Sequence, residues 1–94
     1  MRLTTRQREL IFERIRHHLG ADVQSWLFGS RTDDHARGGD VDLYVEAPPH
    51  PLMAEVRCKR ELQDLLDLPV DLIVRPIGDN SPIASIAKNE GLPL

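Results

Sequence analysis

The segment Asp40-Val41-Asp42-Leu43-Tyr44-Val45-Glu46 alternates polar or ring-bearing side chains with aliphatic ones at a strict two-residue period. Extended backbone sends successive side chains to opposite faces, so this period predicts a strand and excludes an amphipathic helix. Val41, Leu43 and Val45 then face a core, while Asp40 and Asp42 project together from the other side, about 7 Å apart along the strand. Two like charges held this close each make the other harder to ionise. A divalent cation removes that penalty, and Mg²⁺ prefers one or two carboxylates plus water and phosphate oxygens. The feature that demands a sheet therefore also points to a metal.

Other elements follow from pattern and punctuation. Ile11, Ile15 and Leu19 form an i, i+4, i+8 row widened by Leu10 and Phe12, which predicts a helix over 5–19. Thr4 and Gln7 have capping-box spacing at its start, and Gly20 supplies the stop. Residues 23–28 read as a strand closed by Gly29, and 30–39 as a polar segment without apolar periodicity. After Pro48-Pro49-His50-Pro51, a helix presents Leu52, Val56, Leu62, Leu65 and Leu66, ending before Pro69. Residues 70–74 read as a third strand closed by Pro76. Ser81-Pro82 opens a last short helix that Gly91 ends. The expected fold is α/β (α+β): a three-stranded mixed sheet with helices packed on one face, in one domain spanning 1–94.

Ninety-four residues suffice for one modest core and leave little room for a second domain. A single cysteine, Cys58, excludes an intramolecular disulfide and a multi-thiolate zinc site. It falls near the polar side of its helix with no adjacent base, which argues against a nucleophile. The histidines at 17, 18, 35 and 50 lack ligand spacing and read as surface residues. The chain opens without a charged-then-apolar leader and has no apolar run of membrane-spanning length, so the expected compartment is the cytoplasm. Residues 1–20 carry five arginines against two glutamates, whereas the remainder holds seven bases against thirteen acids. A nucleic-acid binder shows a basic stripe over its working face. This distribution argues against direct nucleic-acid binding and for bound cations.

Asp71 also alternates with aliphatic neighbours, Val70 and Leu72. If its strand lies beside that of Asp42 with apolar faces matched, Asp71 joins the same side. Three carboxylates there can hold two metals for phosphoryl chemistry. The competing reading is the wet face of a one-sided sheet, although Asp is disfavoured in strands. Phe28-Gly29-Ser30 weighs against it. Glycine lets a phosphate approach the backbone, and exposed amides beside a serine hydroxyl suit a triphosphate tail. Arg31 has two readings: contact with a terminal phosphate, or a surface pair with Asp33 or Asp34.

Gly29-Ser30, nine residues, then Asp40-Val41-Asp42 resembles the signature of the DNA polymerase β-like nucleotidyltransferase superfamily, in particular its minimal prokaryotic members. The resemblance spans about 5–91. It implies that Asp40 and Asp42 ligate both of two Mg²⁺ ions and that Gly29-Ser30 seats the phosphates of ATP. It further implies that Asp71 helps hold the catalytic metal and orients or deprotonates the attacking hydroxyl. The minimal members also serve as antitoxins beside helical HEPN-domain toxins, where the resemblance implies transfer of AMP to a toxin tyrosine. The expectation is thus a transferase in a hetero-oligomer with a HEPN-like partner encoded next door. Two alternatives stand beside it: an antitoxin or scaffold that only binds, and a transferase acting on a small molecule or RNA with a second subunit.

Overall fold

The computed structural model describes residues 3–28 and 41–94. Helix α1, Thr5–Leu19, begins with the capping box anticipated: the Thr4 side chain accepts from the Gln7 N–H, and the Gln7 side chain accepts from the Thr4 N–H. It ends at Gly20, whose φ of 120° lies where a β-carbon is strained. Strand β1 is Gln24–Phe28 and β2 is Val41–Ala47. Helix α2, Leu52–Leu66, precedes β3, Val70–Pro76; helix α3, Pro82–Glu90, precedes the two-residue β4, Leu92–Pro93.

The sheet order is β3-β2-β1-β4. β1 runs antiparallel to β2 and β4, whereas β2 and β3 run parallel around the α2 crossover. The expected mixed sheet is present, but it has four strands rather than three. The fourth escapes a pattern reading because two residues cannot display a period. It is held by pairing with Trp26 and Leu27, and beyond it the Leu94 N–H donates to the Ser25 carbonyl.

One sheet face carries Val41, Leu43, Val45, Leu27 and Val70. It packs against Ile11, Ile15 and Leu19 of α1 and Cys58 and Leu62 of α2. The other face is not bare, as helices confined to one side would leave it. Ala84 and Ala87 of α3 cover Tyr44 there, together with Trp26, Phe28 and Ile73. The sequence reading also mis-phased α2. Leu52, Val56 and Leu65 are exposed, and the buried row is Cys58 and Leu62 with Ala54 and Leu66 beside it. Cys58 therefore lies in the core rather than near the polar side, and burial pushes its thiol up to about 12. That is an inert thiol.

Two ion-pair clusters tie the helices down. Glu61 of α2 receives Arg14 at 3.4 Å and His18 at 3.1 Å from α1. His50, before α2, sits between the Pro48 carbonyl and Glu55, each at 2.7 Å. Thus two of the histidines read as plain surface residues join neighbouring elements. Among the described residues, no helix is long and apolar enough to cross a membrane.

Candidate active site

β2 and β3 are in register with Asp42 directly beside Asp71. Partners in a parallel ladder point to the same face, and neighbouring strands lie about 4.8 Å apart, so both carboxylates are within reach of one small cation. Asp42 is half-buried and Asp71 exposed, as their places on a central and an edge strand dictate. The face is the one opposite Val41, Leu43 and Val45. Phe28, the residue before Gly29, is the register partner of Asp42 on the β1 side. The last described residue of β1 thus abuts the acidic pair.

Asp40, Gly29, Ser30 and Arg31 lie outside the described residues. Asp42 and Asp71 are the two sequence-predicted site residues that the fold brings together. Their hard carboxylate oxygens, side by side on one face, are of the kind that binds a hard divalent cation. Among the described residues no group of three potential ligands forms, and the third expected carboxylate, Asp40, is not among them.

Further along the same face of β2 come Tyr44 and Glu46, and sequence reasoning missed what they do. The Tyr44 hydroxyl donates to Glu46 Oε2 at 2.8 Å, Lys88 Nζ reaches the same oxygen at 2.6 Å, and the Gly78 N–H donates to Oε1 at 3.0 Å. Lys88 also lies 5.5 Å from the centre of the Trp26 ring, whose own neighbour is Tyr44 at 5.7 Å. Glu46 is 1% exposed. Burial acts to raise its carboxyl, but donation from Lys88, Gly78 and Tyr44 outweighs this and holds it below its ordinary value. Burial, reinforced by the bond to Glu46, pushes the Tyr44 hydroxyl far above its usual range, so it stays protonated. This network fixes α3 and the β3–α3 turn to the strand that carries Asp42. The available signal was the two-residue period itself, which places 42, 44 and 46 on one face.

A cavity of about 530 Å³, lined by Ala47, Pro48, His50, Val74 and Ile77 among others, opens at the other ends of β2 and β3. It is separated from the acidic pair by the length of those strands.

A mixed sheet with two helices on one face and paired aspartates at adjoining strand starts can support metal-assisted phosphoryl chemistry. The family described as "Nucleotidyltransferase domain" matches residues 8–93, and the chain belongs to it. A solved structure assigned as a minimal nucleotidyltransferase is similar at 27% identity, covering 95% of this chain and 90% of that one, with a TM-score of 0.75. The toxin–antitoxin MntA–HepT is similar in fold at 19% identity and a TM-score of 0.68, covering 96% of this chain and 70% of that one. A mutant of that complex matches at 22% identity and a TM-score of 0.68, covering 93% and 69%. A search of curated proteins gives no match.

Proposed function

We propose that this chain is a Mg²⁺-dependent nucleotidyltransferase that moves AMP from ATP to a tyrosine hydroxyl on a HEPN-type toxin and so acts as an antitoxin. The observation that carries the reading is the register of Asp42 beside Asp71 on one face of the sheet, in a chain of the nucleotidyltransferase family. The similarity in fold to toxin–antitoxin complexes supports the partner.

In this reading Asp40, Asp42 and Asp71 would hold two Mg²⁺ ions, which would supply charge neutralisation at the phosphates and lower the pKa of the acceptor hydroxyl. Gly29 and Ser30 seat the β- and γ-phosphates, and Arg31 contacts the terminal one. Asp71, the exposed member of the pair, is open to an incoming acceptor and orients its hydroxyl. The hydroxyl oxygen forms a bond to the α-phosphorus, the α–β bridging bond breaks, and pyrophosphate leaves with that electron pair. The acceptor proton passes to Asp71 or to water. Catalysis here is mainly positioning and charge neutralisation.

The test is to incubate the purified chain and the product of its neighbouring gene with labelled ATP and Mg²⁺. Label appears on a tyrosine of the partner, and Asp42→Asn and Asp71→Asn each reduce the rate by about 10²-fold or more. Inhibition of the partner that survives both substitutions with no label transferred would replace this reading with a binding-only antitoxin. Label transferred to RNA or a small molecule instead would keep the chemistry and discard the protein acceptor.

A further inference from the structure

The outer edge of β3 is complementary to itself. We propose that two copies of this chain associate there, β3 against β3, in an antiparallel two-fold arrangement centred on Ile73. The inference does not depend on the transferase reading: pairing Asp71 across the axis closes it to an acceptor, so the dimer and the working transferase are alternative states of the chain.

Hydrogen bonding gives the first argument. β3 is an end strand of the sheet, and among the described residues nothing pairs with its outer side. The Val41 N–H donates to the Pro69 carbonyl, which sets the ladder to β2: residues 69, 71, 73 and 75 turn their backbone groups inward. The outward groups belong to Val70, Leu72, Val74 and Pro76. Val70 N–H is already satisfied by Gln63 Oε1 at 3.0 Å, and proline has no N–H. The outward donors left are Leu72 and Val74. An antiparallel pair about Ile73 sets Leu72 opposite Val74 of the second copy, and its reciprocal, using both donors and both carbonyls twice over. The register of the free groups therefore selects this centre.

Charge gives the second argument. In the same register Asp71 meets Arg75 of the second copy, and Arg75 meets its Asp71. Both side chains are exposed and share the face of Ile73. Opposite charges across a ladder stabilise it, and a two-fold axis makes the pair twice. A slip by one residue along the edge would lose both ion pairs and expose the aliphatic set.

Apolar surface gives the third. Leu52 and Val56 of α2 are 72% and 49% exposed and line a depression with Leu72 on the side of the helix next to this edge. Continuing the sheet through the two-fold axis brings the second α2 alongside the first and covers these residues. Natural edge strands are blunted by charge, bulges or a covering element. Here the charges are of both signs and placed four residues apart, a pattern that invites a copy rather than repels one.

The experiment measures the mass of the chain alone by sedimentation equilibrium over a range of concentrations. The expected result is a reversible dimer of twice 10.7 kDa. Arg75→Asp sets like charges opposite each other at both ends and weakens the dimer by about thirty-fold or more. Combining Asp71→Arg with Arg75→Asp swaps the charges and restores it, which also shows that the surface changes leave the fold intact. A monomer at every concentration up to about millimolar, a dimer indifferent to Arg75→Asp, or failure of the double reversal to recover association would each overturn the proposal. If the edge serves a strand of another protein instead, the first of these outcomes is the one observed.

Discussion

Glu46 is a carboxylate in a place where carboxylates are costly, and its three donors decide whether the face beside Asp42 holds together. Glu46→Gln removes the buried charge that Lys88 and the Gly78 N–H bind, so it should lower unfolding stability by about 1–3 kcal/mol in urea titrations. Tyr44→Phe removes a single neutral donor and should cost about 1 kcal/mol. Glu46→Gln combined with Lys88→Met should cost less than the sum of the two separate changes, because both remove the same ion pair. The carboxyl of Glu46 lies below its ordinary value in the folded state, so its contribution is complete above that value and is lost as pH falls through the folded one. Acid unfolding followed by circular dichroism should accordingly be shallower in Glu46→Gln. None of this was readable from Glu46 in the sequence, where it continued the wet face of a strand. Burial came from α3, which lies about forty residues away in the chain.

At the scale of elements, caps and connections carry the testable content. The capping box of α1 was legible because its residues are local, and Thr4→Ala should destabilise the chain by about 1 kcal/mol. The end of α2 was less so. Pro69 suggested where the helix stops, but the stop itself is Asp67, a non-glycine residue at φ 54°. Asp67→Gly should stabilise by roughly 0.5–1 kcal/mol, since only the β-carbon opposes that conformation. A thermal melt decides it. Gly91 answers to space instead: a β-carbon there would stand 2.4 Å from the Ala87 carbonyl oxygen, so Gly91→Ala should displace the start of β4 and lower the melting midpoint. His50 supplies a pH signature. Its bonds to the Pro48 carbonyl and then to Glu55 raise it above its ordinary 6.5. The extra stability is complete below 6.5 and is lost as pH rises through the folded value, and His50→Gln should remove that slope from unfolding curves measured around and above neutrality.

For the whole molecule, α2 is the element whose two sides have separate tasks. Cys58 and Leu62 seal the core, so Leu62→Ala should cost about 2–5 kcal/mol. Leu52→Gln, at an exposed position beside the β3 edge, should leave the stability of the monomer within about 0.5 kcal/mol. Helical period alone could not assign these tasks. Leu52, Val56 and Leu65 are as apolar as any core row, and the strongest-looking leucines took the phase from a row that includes a cysteine and an alanine. What separates the rows is the sheet, which only the β2-α2-β3 crossover places beneath one of them.

The sequence by itself determined the strand of Asp42, the capping box of α1 and the Ser81 start of α3, because each rests on a local period or a local hydrogen bond. Tertiary structure decided that Asp71 stands beside Asp42, since that depends on two strands being neighbours and in one register. It also decided that Glu46 is buried, that α3 takes the second face, and that the edge of β3 presents a symmetric set of donors and charges. Each of these is set by which surfaces meet, and that is a property of packing between elements rather than of any one stretch of chain.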